Sequence, residues 1–418
     1  MYKDLFFSFT NIFGRAILGF ALFPLIAEIY GMKGLGSYSL AYVWSMCLMT
    51  IVDFGYTITI PVSVSSGRVT LGVFLAQNNV SKIALLTLSW CLLGLILIFD
   101  MFPGNSSVLC AVFLYFSVGG FYHYVVLYFR GLGNYQSEAK YSLWGGAISV
   151  LSFFLLGIFG VTLAQNIFLV AIIRFGYSIF VYRHFLTKYS IDSLGFSKNP
   201  EFKSGFSAFF LTCSGVLYLY ADSFLLGFYL IASDYAIYQV MIQTLIVGSL
   251  AGLALSNFVL QRASKFPDGG AGSRFFLFRM LMGSLILAAV ILAAIQLSLI
   301  LLNNFNWLPN NLNVEINKYS TEINLVCLLI FLRVTSSPLG AFLSGLNRTY
   351  LRVWMNVLAL TSSVVCLSYI AVYNEPSIFY GLISGVVAHL VLLLVGLAIC
   401  FHVTRQGTDG VIMAQNDQ

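Results

Sequence analysis

Charge is what this chain has least of. Asp, Glu, Lys and Arg make up 9% of its 418 residues, while 59% are hydrophobic and 16% aromatic; soluble domains carry roughly 25% charged residues. A water-soluble core could not hide that much apolar surface. Also missing are a GxxxxGK[ST] phosphate loop, a GxGxxG turn and an HExxH motif. No stretch between the apolar runs is long enough to hold a nucleotide-binding domain, so ATP hydrolysis by this chain is not expected. The seven cysteines, Cys47, Cys91, Cys110, Cys213, Cys327, Cys366 and Cys400, lie inside apolar runs without a CxxC pair, and read as small buried residues. His123, His184, His389 and His402 are dispersed. Neither a metal site nor a catalytic residue is expected, and the chain reads as no enzyme.

What is present is apolar sequence in long runs. A spanning helix takes about 20 mostly apolar residues, and windows of that kind lie near 5–29, 38–58, 80–99, 107–129, 142–163 and 166–186, then 205–230, 236–259, 275–302, 323–345, 350–373 and 378–402. The fold class expected is an all-α polytopic membrane protein of twelve transmembrane helices. The first run, Leu5 to Tyr30, follows a single Lys and exceeds a signal-peptide core, so an uncleaved first span is expected. Of the 21 Lys and Arg, sixteen, from Lys3 through Lys82 and Arg130 to Arg405, fall on one side of the spans, and only Lys33 and Lys318 on the other. That bias places both termini in the cytoplasm. The net charge of +6 forms no patch or stripe, which argues against nucleic acid as a partner.

Six spans precede the basic loop near 187–204 and six follow it. An even count leaves both halves in the same orientation, as in parallel-repeat transporters. The division expected is an N-terminal lobe over 1–200, ending in that loop, and a C-terminal lobe over 201–418 with a short cytoplasmic tail, the two six-helix lobes enclosing a central cavity. Short internal matches fit it: Gly36-Ser37-Tyr38 parallels Ala236-Ile237-Tyr238, and Gly131-Leu132 with Asn134 parallels Gly345-Leu346-Asn347. Pro24 and Pro338 fall inside spans and predict kinks, and Gly248 with Gly252 has the spacing of close helix packing.

Three basic residues remain inside spans: Arg15, Arg174 and Arg333. Each costs about 2.5 to 3.5 kcal/mol at a span centre, and helical rise places all three near the midplane. Together they predict a cationic cavity that binds substrate, and the planar guanidinium fork matches phosphate oxygens, so a diphosphate is a natural guest. The competing reading is neutralisation by acids within the bundle, Asp53 for Arg15 and Asp222 for Arg174. Those two carboxylates are equally candidates for ion coupling, with transport driven by a proton or sodium gradient; no other cofactor is expected.

The segment Gly31-Met-Lys-Gly-Leu-Gly-Ser-Tyr-Ser-Leu-Ala41, followed by Val52-Asp53-Phe54-Gly55-Tyr56, resembles the opening of the O-antigen unit flippases of the Wzx type, which read "G...fG.YslA" and then "DFG". Tyr128-Phe-Arg-Gly-Leu-Gly-Asn134 resembles the family's "f.qGl" turn, and Ala221-Asp222-Ser-Phe-Leu-Leu-Gly227 with Ala236-Ile-Tyr238 resembles its "vD.fllg" and "vGiY" elements. Two positions depart: Ala236 replaces the usual Gly, and Arg130 stands where Gln is common. The resemblance implies a bacterial inner-membrane flippase of the multidrug/oligosaccharidyl-lipid/polysaccharide exporter superfamily. Such a protein would turn undecaprenyl-diphosphate-linked O-antigen units, in lipopolysaccharide biosynthesis, from the cytoplasmic to the periplasmic leaflet by alternating access. Its implied partners are the lipid-linked oligosaccharide, membrane lipid and other polysaccharide-assembly proteins. Two alternatives stay open: a multidrug cation antiporter of the same superfamily, whose cavity would be anionic or aromatic, and a membrane O-antigen polymerase, which would carry a larger outward loop than the stretch near 303–322.

Overall fold

A computed structural model describes residues 2–67, 70–191, 206–263, 271–304, 318–346, 348–374 and 376–416. Among them every regular element is a helix: α1 (Tyr2–Asp53), α2 (Tyr56–Ser65), α3 (Leu71–Ile98), α4 (Ser106–Gly131), α5 (Tyr135–Ile158), α6 (Leu163–Lys188), α7 (Phe206–Leu226), α8 (Ala232–Gly248), α9 (Leu250–Ala263), α10 (Ala271–Asn304), α11 (Ser320–Gly345), α12 (Thr349–Tyr373) and α13 (Ile378–Asn416). Packing divides the chain into two compact units, Met1–Gln239 and Val240–Gln418. The boundary expected at 200/201 lies outside the described residues.

Eleven stretches among the described residues are long and apolar enough to cross a membrane, the first running from Thr10 to Ser65 over 56 residues. At 1.5 Å per residue this first stretch is roughly 80 Å long, more than twice an apolar core of about 30 Å. It is two passes, reversed at Gly31, whose φ of 70° and ψ of 177° leave helical space. Only glycine takes that conformation without strain. Neighbouring contacts prove the reversal. The first half of α1 runs parallel to α5, with Asn11 on Glu138 and Ile29 on Gly157. Helix α5 is antiparallel to α6, through Tyr141 with Tyr177 and Phe153 with Asn166. Helix α6 is parallel to α4, through Val118 with Ser178 and Tyr128 with Phe185. Helix α4 in turn runs parallel to the second half of α1, with Phe116 on Tyr42 and Gly120 on Met49. The two halves of α1 are therefore opposed, and the eleven stretches make twelve passes, as the apolar windows predict. Pro24 is carried inside α1 and Pro338 inside α11.

The second pass ends in a second break, where Phe54 (φ 45°) and Gly55 (φ 76°) separate α1 from α2. A Cβ on Gly55 would sit 2.5 Å from the Ala208 Cβ and 2.7 Å from its carbonyl carbon, so this glycine also lets α7 approach. Behind the break lies the core of the first unit, in which Tyr56, Phe74, Tyr124, Tyr128, Phe129, Tyr141 and Phe185 pack together. Lipid gives helices no hydrophobic reason to associate, so such edge-to-face aromatic contacts and small-residue approaches hold the bundle. Within the second unit, Gly248 lies under Ile330 and Gly252 against the Cα of Val334, the close packing their spacing predicts. Ser256 and Ser337 join α9 to α11 at 3.0 Å, while Ser363 and Ser384 join α12 to α13 at 3.5 Å.

The closest approach in the first unit is at Gly36, where an added Cβ would overlap the carbonyl oxygen of Ala232 and stand 2.6 Å from its carbonyl carbon. Gly36→Ala is therefore expected to destabilise the protein by about 1–3 kcal/mol, as overpacking does. Thermal unfolding of the purified protein measures it. Gly19, with nothing within 4 Å of such a Cβ, is the control: Gly19→Ala should unfold no earlier than the wild type.

Candidate functional site

Arg15 is one turn beyond Asn11 on the first half of α1. Its flanks are packed on α5, where Gly14 lies under Leu143 and Leu18 over Gly146. This packing leaves the Arg15 side chain on the exposed surface of the first unit. It forms no hydrogen bond or ion pair with a described residue. Tyr122, Arg130, Glu138 and Arg174 are the groups within its electrostatic reach.

Arg174 projects from α6 onto α4 and is half-buried. Its guanidinium carbon stands 4.3 Å from the ring centre of Tyr115 and 5.2 Å from that of Tyr122, and Nη2 donates to the Tyr122 hydroxyl at 3.5 Å. Gly119 makes room for it: a Cβ there would be 2.6 Å from the guanidinium carbon. The Nε of Arg174 is buried without a hydrogen-bond partner. Tyr122 is within electrostatic reach of both Arg15 and Arg174, and Arg174 lies against tyrosine rings, an arrangement in which cation–π attraction substitutes for an acid. Arg333 belongs to the second unit, where it is half-buried on α11 within electrostatic reach of His389. His389 bonds through Nδ1 to the Gly385 carbonyl at 2.9 Å.

Among the described residues, the ion pairs of the competing reading do not form. Asp53 does not meet Arg15; its Oδ2 accepts from the Thr57 hydroxyl at 3.0 Å, and the charge facing it is Lys82. Lys82, which sequence reading places with the loop charges, is 5% exposed inside α3. Its ammonium donates to the Val52 carbonyl at 3.0 Å and stands 5.6 Å and 5.7 Å from the rings of Tyr56 and Tyr124. It thereby caps the negative end of α1 at the Asp53 break. Asp222 does not meet Arg174; it is buried in α7 beside Ser223, Tyr235 and Tyr238. An ion pair that sequence reading missed joins Arg130 to Glu138 at 2.5 Å, with Glu138 2% exposed. One carboxylate oxygen of Glu138 accepts from Arg130 Nε at 2.9 Å and from Asn11 Nδ2 at 2.7 Å as well. The signal for it was present: opposite charges flank the Gly131-Leu132-Gly133-Asn134 turn, and Arg130 is the departure from the family's usual Gln.

Long apolar helices, breaks at glycines and a few charges held within the bundle describe a polytopic membrane protein. The chain belongs to the polysaccharide biosynthesis protein family, whose profile matches residues 1–260. No curated protein matches it. Among solved structures it is similar to an outward-facing multidrug resistance MATE family transporter of the MOP superfamily, with 12% identity over 97% of this chain and 96% of that one and a TM-score of 0.66. It is also similar to the lipid II flippase MurJ in an inward closed conformation, with 15% identity over 96% and 90% and a TM-score of 0.65. The MATE multidrug transporter DinF-BH matches at 14% identity over 96% of each chain with a TM-score of 0.65. At these identities the likeness shows the fold alone.

Proposed function

We propose that the protein is an inner-membrane flippase for undecaprenyl-diphosphate-linked O-antigen units, with both termini cytoplasmic, and that Arg15 contacts the diphosphate. The observation that carries this reading is the guanidinium of Arg15, which pairs with no described residue. Facing lipid it would cost about 3 kcal/mol, and it forms no ion pair with a described residue although Glu138 is within its electrostatic reach, so we place it in a water-accessible interior that receives an anion. Arg174 adds a fixed positive charge within its electrostatic reach. Arg333 is included by its charge and depth alone. The family's link to polysaccharide biosynthesis and the flippase among the structural neighbours support a lipid-linked sugar as cargo.

A multidrug antiporter is favoured by the MATE neighbours and by the tyrosines around Arg174, which would suit an organic cation. Those ring faces, however, are covered by the Arg174 guanidinium, whose charge repels one. Deletion of the gene in its host distinguishes the readings. The expected result is lipid-linked sugar accumulating on the cytoplasmic face and surface polysaccharide lost. Intact surface polysaccharide with altered dye efflux would establish the antiporter, and display of single repeat units would establish a polymerase.

A further inference from the structure

His123 is half-buried on α4, and its Nδ1 is enclosed without a hydrogen-bond partner. A buried ring nitrogen left so costs free energy whether or not it carries a proton. With no internal partner to fix its tautomer, the ring is free to turn an N–H to a ligand. Gly119, His123 and Arg130 follow one another along a single stripe of α4, at i, i+4 and i+11. At one end of the stripe the Arg174 guanidinium lies over Gly119. At the other, Arg130 shares a carboxylate oxygen of Glu138 with Asn11 of α1. The first half of α1 runs antiparallel to α4, so Arg15, one turn beyond Asn11, lies further along the stripe from Arg130 toward His123. Arg15 is accordingly the charge that acts most strongly on the imidazole, followed by Arg130, Lys82 and Arg174.

Two of these four cations have carboxylates of their own: Arg130 pairs with Glu138, and Lys82 faces Asp53. The other two form no ion pair with a described residue, Arg174 resting instead on the rings of Tyr115 and Tyr122. An anion between Arg15 and His123 would offset this surplus of positive charge and give the imidazole the hydrogen bond it lacks. We propose that His123 is a second ligand of the anion that Arg15 receives, donating from its imidazole to a phosphate-class oxygen. The assignment rests on the flippase reading, in which that anion is the diphosphate of the cargo. It deepens that reading by placing donors to the diphosphate on two helices, a guanidinium fork on α1 and a single N–H on α4, so that the anion is oriented as well as attracted.

The test is binding of pyrophosphate to the full-length purified protein, read from the rise in its unfolding midpoint at constant ionic strength. His123→Leu is expected to weaken binding about tenfold, the worth of one hydrogen bond to a charged group. His123→Gln, which keeps an N–H donor, should restore most of the affinity. A histidine with only a structural role would lower the midpoint in the absence of pyrophosphate and leave the affinity unchanged, and that result in His123→Leu overturns the proposal. If His123→Leu does not fold, the ring nitrogens are followed by NMR in wild-type protein carrying isotope-labelled histidine. Pyrophosphate should then shift the signal that is missing from His123→Gln, and an unmoved signal overturns the proposal. A wild type that does not respond to pyrophosphate at all would overturn the reading of Arg15 as an anion contact and this proposal with it, whereas equal affinities in the wild type and His123→Leu would remove His123 alone.

Discussion

Replacing Arg15 with Ala is expected to lower transport at least tenfold while the protein still inserts and accumulates. The expectation follows from what Arg15 does not do: it forms no hydrogen bond or ion pair with a described residue, so its loss removes no such contact from the described fold. A hydrogen bond to a charged group contributes about 1.5–3 kcal/mol, and each 1.36 kcal/mol is about tenfold in rate. Arg15→Lys should restore part of the flux, because a point charge replaces the charge but not the bidentate fork. Complementation of a deletion strain, with membrane levels of each variant checked by immunoblot, gives the comparison. Normal surface polysaccharide from well-expressed Arg15→Ala would remove Arg15 from the site.

The largest loss of stability is expected at Arg130 and Glu138. Arg130→Ala leaves the Glu138 carboxylate buried with Asn11 as its remaining donor, and breaking a buried pair from one side costs roughly 3 kcal/mol. Glu138→Ala strands Arg130 less severely, because the Arg130 side chain is 35% exposed. The double replacement should recover much of the loss, since no buried charge is then left unpaired. Glu138→Gln, which keeps an acceptor for both donors, should be the mildest change. Thermal unfolding of the four variants forms the test. Additive losses in the double mutant would show that the contact does not couple the two residues.

The apolar runs made the passes legible, because a bilayer demands length and hydrophobicity from every spanning helix. They hid the beginning of α3. Gln77, Asn78, Asn79 and Lys82 lower the hydropathy of its first half, so the window opens near 80 while the helix opens at Leu71. These polar groups are tolerated because partners far along the chain satisfy them: Asn78 donates to the Tyr128 hydroxyl at 3.0 Å, Asn79 to that of Tyr182 at 2.9 Å, and Lys82 to the Val52 carbonyl. A polar stripe on an apolar helix was the available sign, but its partners are set by tertiary packing. The same limit explains the pairings. Depth along a helix placed Asp53 near Arg15 and Asp222 near Arg174, whereas azimuth around the helix, which depth does not encode, turned Asp53 to Lys82 and Asp222 to the start of α8. For the arginines, the sequence showed charge and depth; the tyrosine wall on α4 that receives Arg174 became visible only with Gly119 in place between Tyr115 and Tyr122.

The most direct test is leaflet transfer in reconstituted vesicles. Purified protein is placed in liposomes holding a fluorescent prenyl-diphosphate oligosaccharide, and the fraction exposed on the outer leaflet is followed with a membrane-impermeant quencher. The account predicts transfer well above protein-free liposomes, inhibition by excess soluble diphosphate, and loss of most of the transfer in Arg15→Ala. Transfer no faster than in protein-free liposomes, together with extrusion of a cationic dye by the same preparation, would contradict it.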